Sequence, residues 1–212
     1  MPESVMAAME ALSEKLSTQL GLSLRLAMSE RPLEPAALSE TETRIFEGFQ
    51  SPHRRLSYLL GRAAVHALVP EATLSFPVRG YSLSHSLASE ASLAVAVEAK
   101  KKGELVPVGI DIEKIAARKP GLARRFLNDR EFTLFESLPE PEQETIRFWT
   151  IKEAVWKAAQ CTEAQSPVVT QVEILSVSET HGLAKFKDQH YRVISEELGL
   201  FMMTIAVQDS PF

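Results

Sequence analysis

The sequence predicts an α+β protein built as two halves of similar size, and three observations carry that prediction. Residues 108–113 alternate strictly, with Val108, Ile110 and Ile112 on one side and Gly109, Asp111 and Glu113 on the other, the period-two signature of a half-buried strand. Residues 3–20, and the run from Phe148 to Ala158, repeat apolar side chains at three- and four-residue spacing, the stripe of a helix that faces a core. From about Val168 to Gln208, strand-like segments alternate with short turns.

The first helix places Met6, Met9, Leu12, Leu16 and Leu20 on one stripe, read as a core face or a lid on the core, and Gly21 stops it. Residues 22–28 alternate as a strand, and the proline-containing stretch 31–38 reads as a loop. Ser39-Glu40-Thr41-Glu42 is a capping-box pattern that opens a short helix, because serine and glutamate can each satisfy a backbone N–H of the first turn. Ser51-Pro52 sets a cap before a proline at the first helical position and opens a longer helix that ends before Pro70. A strand follows around 92–98. The charged turn Ala99-Lys100-Lys101-Lys102-Gly103-Glu104 then reads as a solvated hairpin, and as the junction between halves 1–102 and 103–212. Past the acidic strand, Asn128-Asp129-Arg130-Glu131 repeats the cap-then-glutamate pattern over a helix to about Leu138, and the next helix follows Pro141.

Composition removes several classes of function. At 212 residues and 45% hydrophobic content the chain can bury a sizeable core. No apolar run approaches the ~20 residues of a membrane helix, and the N-terminus lacks a basic-then-apolar signal pattern. A cytoplasmic protein with no membrane partner is therefore expected. The single cysteine, Cys161, excludes an internal disulfide and a cysteine metal cluster, and reads as a small buried or half-buried hydrophobe. A net charge of −5 argues against a general nucleic-acid binder, so an anionic partner has to be met by local basic patches.

Two acidic patches carry the chemistry. Asp111 and Glu113 point the same way from one strand, roughly 7 Å apart at the backbone, so their carboxylates can converge on one hard cation. Gly109 beside them is read as room for a ligand to approach the backbone. In Phe148-Trp149-Thr150-Ile151-Lys152-Glu153-Ala154-Val155-Trp156-Lys157, Glu153 and Lys157 are four apart and share one helical stripe. A carboxylate beside an ammonium can serve Mg²⁺ and a phosphate together, and Lys152 adds a second cation at another angle. Taken alone, the first patch reads as the end of an edge strand and the second as an ordinary surface ion pair.

Together they resemble a known family. Gly-Ile-Asp-Ile-Glu at 109–113, followed 42 positions after Asp111 by the glutamate of Trp-Thr-x-Lys-Glu-Ala-x-x-Lys, is similar to the signature of the 4′-phosphopantetheinyl transferases. Ser82-Leu83-Ser84-His85-Ser86, followed by Leu93-Ala94-Val95-Ala96-Val97, resembles the Ser-His strand entry of the larger, Sfp-type members. The resemblance runs from about residue 50 to 160. It implies a pseudo-twofold pair of similar α+β subdomains, each a small antiparallel sheet packed with helices, and an active site in the cleft between them.

It also implies the reaction. The family moves the 4′-phosphopantetheine arm of coenzyme A onto a serine hydroxyl of an apo acyl or peptidyl carrier protein and releases 3′,5′-ADP. On that implication Asp111, Glu113 and Glu153 hold Mg²⁺. Lys157, with Lys152 as a weaker candidate, binds the diphosphate, and Glu153 ranks as metal-proximal first and as general base second. Arg54 or Arg55 with Arg62 on the 53–62 helix, together with Ser84 and His85, are the expected contacts to coenzyme A phosphates. Many members carry a Gly-Lys-Pro segment before the Ser-His turn. Here it is Phe76-Pro77-Val78-Arg79-Gly80-Tyr81, in which Arg79 is the substitute.

The segment Arg118, Lys119, Arg124 and Arg125, interleaved with Leu122, Phe126 and Leu127, is the expected docking face for the carrier, and reads equally as a solvated amphipathic segment. A monomer is expected, because two halves can build the site. Two other classes stay open at this point. One is a Mg²⁺-dependent hydrolase of coenzyme A or another diphosphate, with water as nucleophile; the other is a catalytically silent coenzyme A-binding module.

Overall fold

The N-terminal helix ends as a glycine requires. In a computed structural model that describes residues 3–70, 74–88, 91–116, 118–119, 121–139, 141–160 and 168–209, α1 spans Glu3–Leu20. Gly21 takes φ +64°, where a side chain would be strained, and the N–H groups of Gly21 and Leu22 return to Thr18 O and Ser17 O. Met9, Leu16 and Leu20 are buried. The side chain of Met6 and the whole of Cys161 lie outside the described residues. The chain divides into two units, Met1–Leu105 and Val106–Phe212.

In the first unit, α1 lies along β1 (Ser23–Ser29), and two of its serines accept hydrogen bonds from that strand's outward N–H groups: Leu24 to Ser17 Oγ at 2.9 Å and Leu26 to Ser13 Oγ at 3.2 Å. The other edge of β1 pairs with β3, so α1 covers donors that an edge strand would leave open. The short helix α2 (Glu40–Gly48) has the complete Ser39/Glu42 capping box, and α3 (Pro52–Leu68) starts at Ser51, whose side chain accepts from Arg54 N. β2 (Tyr81–Leu87) and β3 (Ser92–Lys101) form an antiparallel sheet with β1 in the order β1-β3-β2, and β4 (Glu104–Leu105) pairs with the end of β3. The lysine run makes the hairpin as expected: Lys102 and Gly103 both take positive φ, 53° and 87°, the geometry a two-residue turn between twisted strands demands. Ala27, Leu60, Ala64, Val65, Leu68, Ala94 and Ala96 form the core between α3 and the sheet.

In the second unit the order is β5 (Val108–Lys114), α4 (Asp129–Glu136), α5 (Pro141–Gln160), β6 (Glu173–Val177), β7 (His181–Phe186), β8 (Gln189–Leu198) and β9 (Phe201–Asp209). The sheet is antiparallel, β5-β9-β8-β7-β6. Asn128 and Glu131 complete the capping box at the start of α4. α5 crosses β5 and β9, with Phe148, Ile151, Val155 and Ala158 at 0% exposure, so the periodicity read from the sequence sets the packed face. Phe135 of α4 meets Phe148 edge-on, with ring centroids 5.4 Å apart.

β5 corrects one expectation. It is buried on both faces from Val108 to Ile112, because α5 covers the side that carries Gly109 and Asp111. Gly109 is not room for a ligand: a Cβ there would lie 1.8 Å from Ala154 O and 2.7 Å from Ala158 N, so the missing side chain lets the helix backbone seat on the strand.

Past α1, the two units share a core connectivity. Each runs strand, short capped helix, long helix and then antiparallel strands, the last long strand pairing back with the first: β3 with β1, and β9 with β5. The fold is α+β with two antiparallel sheets, as predicted.

Candidate active site

β5 and α5 bring the acidic patches together. Lys157 Nζ donates to Asp111 Oδ1 at 2.7 Å and to the Ile110 carbonyl at 3.1 Å, so the last turn of α5 is fastened to the middle of β5. Glu153, one turn earlier on the same stripe, faces the same ground. Burial pushes its carboxyl up to about 7, and the charges of Asp111 and Glu113 push the same way, while Lys157 pulls back. A glutamate poised near neutrality beside two further carboxylates and an ammonium is the arrangement expected of proton-transfer or phosphate chemistry. Beneath Asp111 runs a buried chain of hydroxyls that sequence reasoning missed. Thr204, paired across the strands with Asp111, hydrogen-bonds Thr150 of α5 at 2.8 Å and Ser195 of β8 at 2.9 Å. Thr150 lies inside the signature itself, which was the available signal.

The donor set suits a hard divalent cation, since Asp111, Glu113 and Glu153 offer carboxylate oxygens of the kind Mg²⁺ takes, and the repulsion that raises Glu153 is one a cation would relieve. Among the described residues no three His, Cys, Asp or Glu side chains are already drawn into metal-holding geometry. The ammonium of Lys157 stands on Asp111 instead.

Lys152 does not join this group. It is fully buried, with Nζ 2.7 Å from Glu131 Oε1 and a hydrogen bond to the Val172 carbonyl, and burial draws its ammonium below the usual lysine range against the hydrogen bond and charge of Glu131. A cation sealed in the interior cannot reach a diphosphate.

Arg62 is corrected on the same ground. It is 4% exposed, pairs with Glu42 Oε1 at 3.2 Å, donates to Leu74 O at 2.8 Å, and has the rings of Tyr58 and Phe76 each 5.7 Å away. Arg54 and Arg55 are exposed in the first turn of α3, Arg55 donating to Phe49 O at 2.7 Å and lying over Phe46. Arg79 is exposed and donates to Leu105 O at 3.0 Å. Ser84 and His85 were expected to act side by side. As neighbours on β2 they point to opposite faces, Ser84 buried and His85 exposed, a separation that the strand period itself dictates.

Next to Glu113 the second unit opens a groove of ≈ 410 Å³, with Leu122, Phe126, Ile146, Trp149 and Val169 in its wall and Arg118 and Arg125 beside them. Phe126 is buried and meets Trp149 edge-on at 5.3 Å, so it builds the groove more than it lines the surface. Arg124 faces elsewhere: its guanidinium lies 3.7 Å from the Phe132 ring centroid and 3.9 Å from Glu136. Trp149 was missed, although it lies four residues before Glu153 on the same helical stripe.

Residues 107–200 match a family model described as the 4′-phosphopantetheinyl transferase superfamily (ACPS). No curated protein matches the sequence. Among the solved structures that match is the crystal structure of Thermotoga maritima holo-(acyl-carrier-protein) synthase (AcpS), at 24% identity and a TM-score of 0.39, over 50% of this chain and 64% of that one. The chain thus spans less than two thirds of the length of that structure. No helix among the described residues is long and apolar enough to cross a membrane.

Proposed function

We propose, from the match of residues 107–200 to the 4′-phosphopantetheinyl transferase superfamily, that the protein transfers the 4′-phosphopantetheine arm of coenzyme A to a serine of an apo acyl or peptidyl carrier protein, with Mg²⁺, and releases 3′,5′-ADP. The observation that carries the reading is the gathering of Asp111, Glu153 and Lys157 on β5 and α5, with Glu153 near neutral. In this step the serine oxygen forms a bond to the β-phosphorus, the bond from that phosphorus to the bridging oxygen breaks, and the electron pair leaves on the 5′-phosphate of 3′,5′-ADP.

Asp111, Glu113 and Glu153 would hold the cation, which when bound neutralises the diphosphate charge. With the cation and diphosphate bound, Asp111 would serve the cation and Lys157 a diphosphate oxygen in place of their present pair. Glu153 ranks first as a carboxylate beside the cation and second as the acceptor of the serine proton, directly or through water. In the first unit, Arg54 with Arg55 or Arg79, together with His85, is assigned to the phosphates of coenzyme A. Arg118 and Arg125, with the apolar groove between Phe126 and Trp149, are assigned to the carrier.

The test is mass spectrometry of a panel of apo carriers incubated with the protein, coenzyme A and Mg²⁺. A gain of about 340 Da, one phosphopantetheine arm in phosphoester linkage, is expected on at least one carrier. Breakdown of coenzyme A without carrier, and no gain on any carrier, would replace the transferase reading by a hydrolase.

A further inference from the structure

Glu131 and Lys152 form an ion pair sealed from solvent, both side chains at 0% exposure and 2.7 Å apart, one residue before Glu153 in the chain. Neither can touch cation, coenzyme A or carrier. Desolvating two charges is expensive, and an apolar pair of equal volume is often as stable or more so. What the apolar pair lacks is direction. Glu131 Oε2 receives the Asn128 N–H at 2.8 Å at the start of α4, and Oε1 receives the Ile174 N–H at 2.7 Å at the start of β6. The Lys152 ammonium adds the Val172 carbonyl just before β6. A single side chain of α5 is therefore tied at one height and one rotation to two other elements. Ala154 of the same helix seats on Gly109 of β5, so α5 is gripped against a third.

We propose that the Glu131–Lys152 pair is a positioning device that fixes the rotation of α5 about its axis, and so holds Glu153 and Lys157 in reach of Asp111 and Glu113; the inference rests on the transferase reading. Turning a helix by about 20° moves a side-chain tip about 6 Å from its axis by about 2 Å. A displacement of about 1 Å can lower a rate about a hundredfold. The first unit contains the same grip. There Glu42, also the capping glutamate of its short helix, receives the Ser39 N–H at 2.9 Å and pairs with buried Arg62 of the long helix at 3.2 Å. Counted from the buried cation, Ala63 and Ala67 stand where Glu153 and Lys157 stand in the second unit. The grip belongs to the shared architecture, and in the second unit it aims Glu153 and Lys157.

The experiment compares the full-length wild type with the double variant Glu131→Gln/Lys152→Met, in which glutamine keeps an acceptor for Asn128 and methionine keeps the volume. Transfer kinetics, thermal melting and Mg²⁺ binding by calorimetry without carrier are measured. The expected result is a cooperative melt, a kcat lowered at least about tenfold with the coenzyme A KM within about twofold, and weakened Mg²⁺ binding. A lowered melting temperature with wild-type kcat and wild-type Mg²⁺ affinity would overturn the proposal, because a merely structural pair would give that result. Should the double variant fail to fold, Lys152→Arg keeps the pair on a longer arm. It should show the same split between kcat and KM, and wild-type kcat there would equally overturn the device. Failure of the transferase reading looks different: the wild type itself would modify no carrier, while the Mg²⁺ comparison would still report on the grip.

Discussion

Glu153 is held where burial and two neighbouring carboxylates all oppose its ionisation, and that has a measurable consequence for stability. Its folded-state value of about 7 lies above the ordinary 4.5, so the fold favours the neutral acid. For a group raised on folding, the stabilisation is fully present below its unfolded value, here about pH 4.5, and is lost as pH rises through about 7. With a chelator present, the melting temperature should therefore fall between about pH 5 and about pH 8, and Glu153→Gln should flatten that part of the profile. Parallel profiles for variant and wild type, measured by thermal melts across this range, would show that the residue is not the titrating group. Asp111 and Glu113 were legible as one cluster from alternation alone, and Glu153 and Lys157 from four-residue spacing. The Lys157–Asp111 contact was not, since nothing in either period says which ammonium a strand carboxylate will meet 46 residues on.

At the scale of elements, the fit of α5 on β5 depends on an absent side chain. A glycine inside a strand signals a bulge or a close backbone approach, and the sequence does not say whether ligand or helix approaches. The obstacles to a Cβ at Gly109 are Ala154 O and Ala158 N, backbone atoms that cannot swing aside. Gly109→Ala should therefore displace the helix, lowering stability by about 1–3 kcal/mol or more by overpacking, and activity should fall with it because Glu153 and Lys157 ride on α5. Denaturant unfolding read against transfer rate checks this, and a fully stable, fully active variant would contradict the packing. Helix starts were legible to the residue at Ser39, Ser51 and Asn128, because a cap is a local exchange of hydrogen bonds. That the capping glutamates also receive Arg62 and Lys152 was hidden. Both partners lie about twenty residues away, and a cation on an amphipathic helix reads as solvated until the tertiary packing is known.

At the scale of the whole molecule, one connectivity is used twice and armed once, and the net charge works against the proposed partner. A chain of charge −5 repels an acidic carrier except where cations gather, and Arg118 and Arg125 gather beside the groove that opens next to Glu113. Reversing both, Arg118→Glu with Arg125→Glu, should raise the KM for an acidic carrier about tenfold, the equivalent of about 1.4 kcal/mol. The KM for coenzyme A should stay where it was. Arg124→Glu alone should leave the carrier KM within about twofold, because rim charges matter through the field they present to the partner and Arg124 is turned toward Phe132 and Glu136. Raising ionic strength shortens the reach of these charges, so wild type should lose carrier affinity with salt and the double variant should lose little. Steady-state kinetics at two salt concentrations decide it. Should the coenzyme A KM rise in step with the carrier KM, the arginines would belong to the nucleotide, and the basic rim would no longer be the carrier's landing surface.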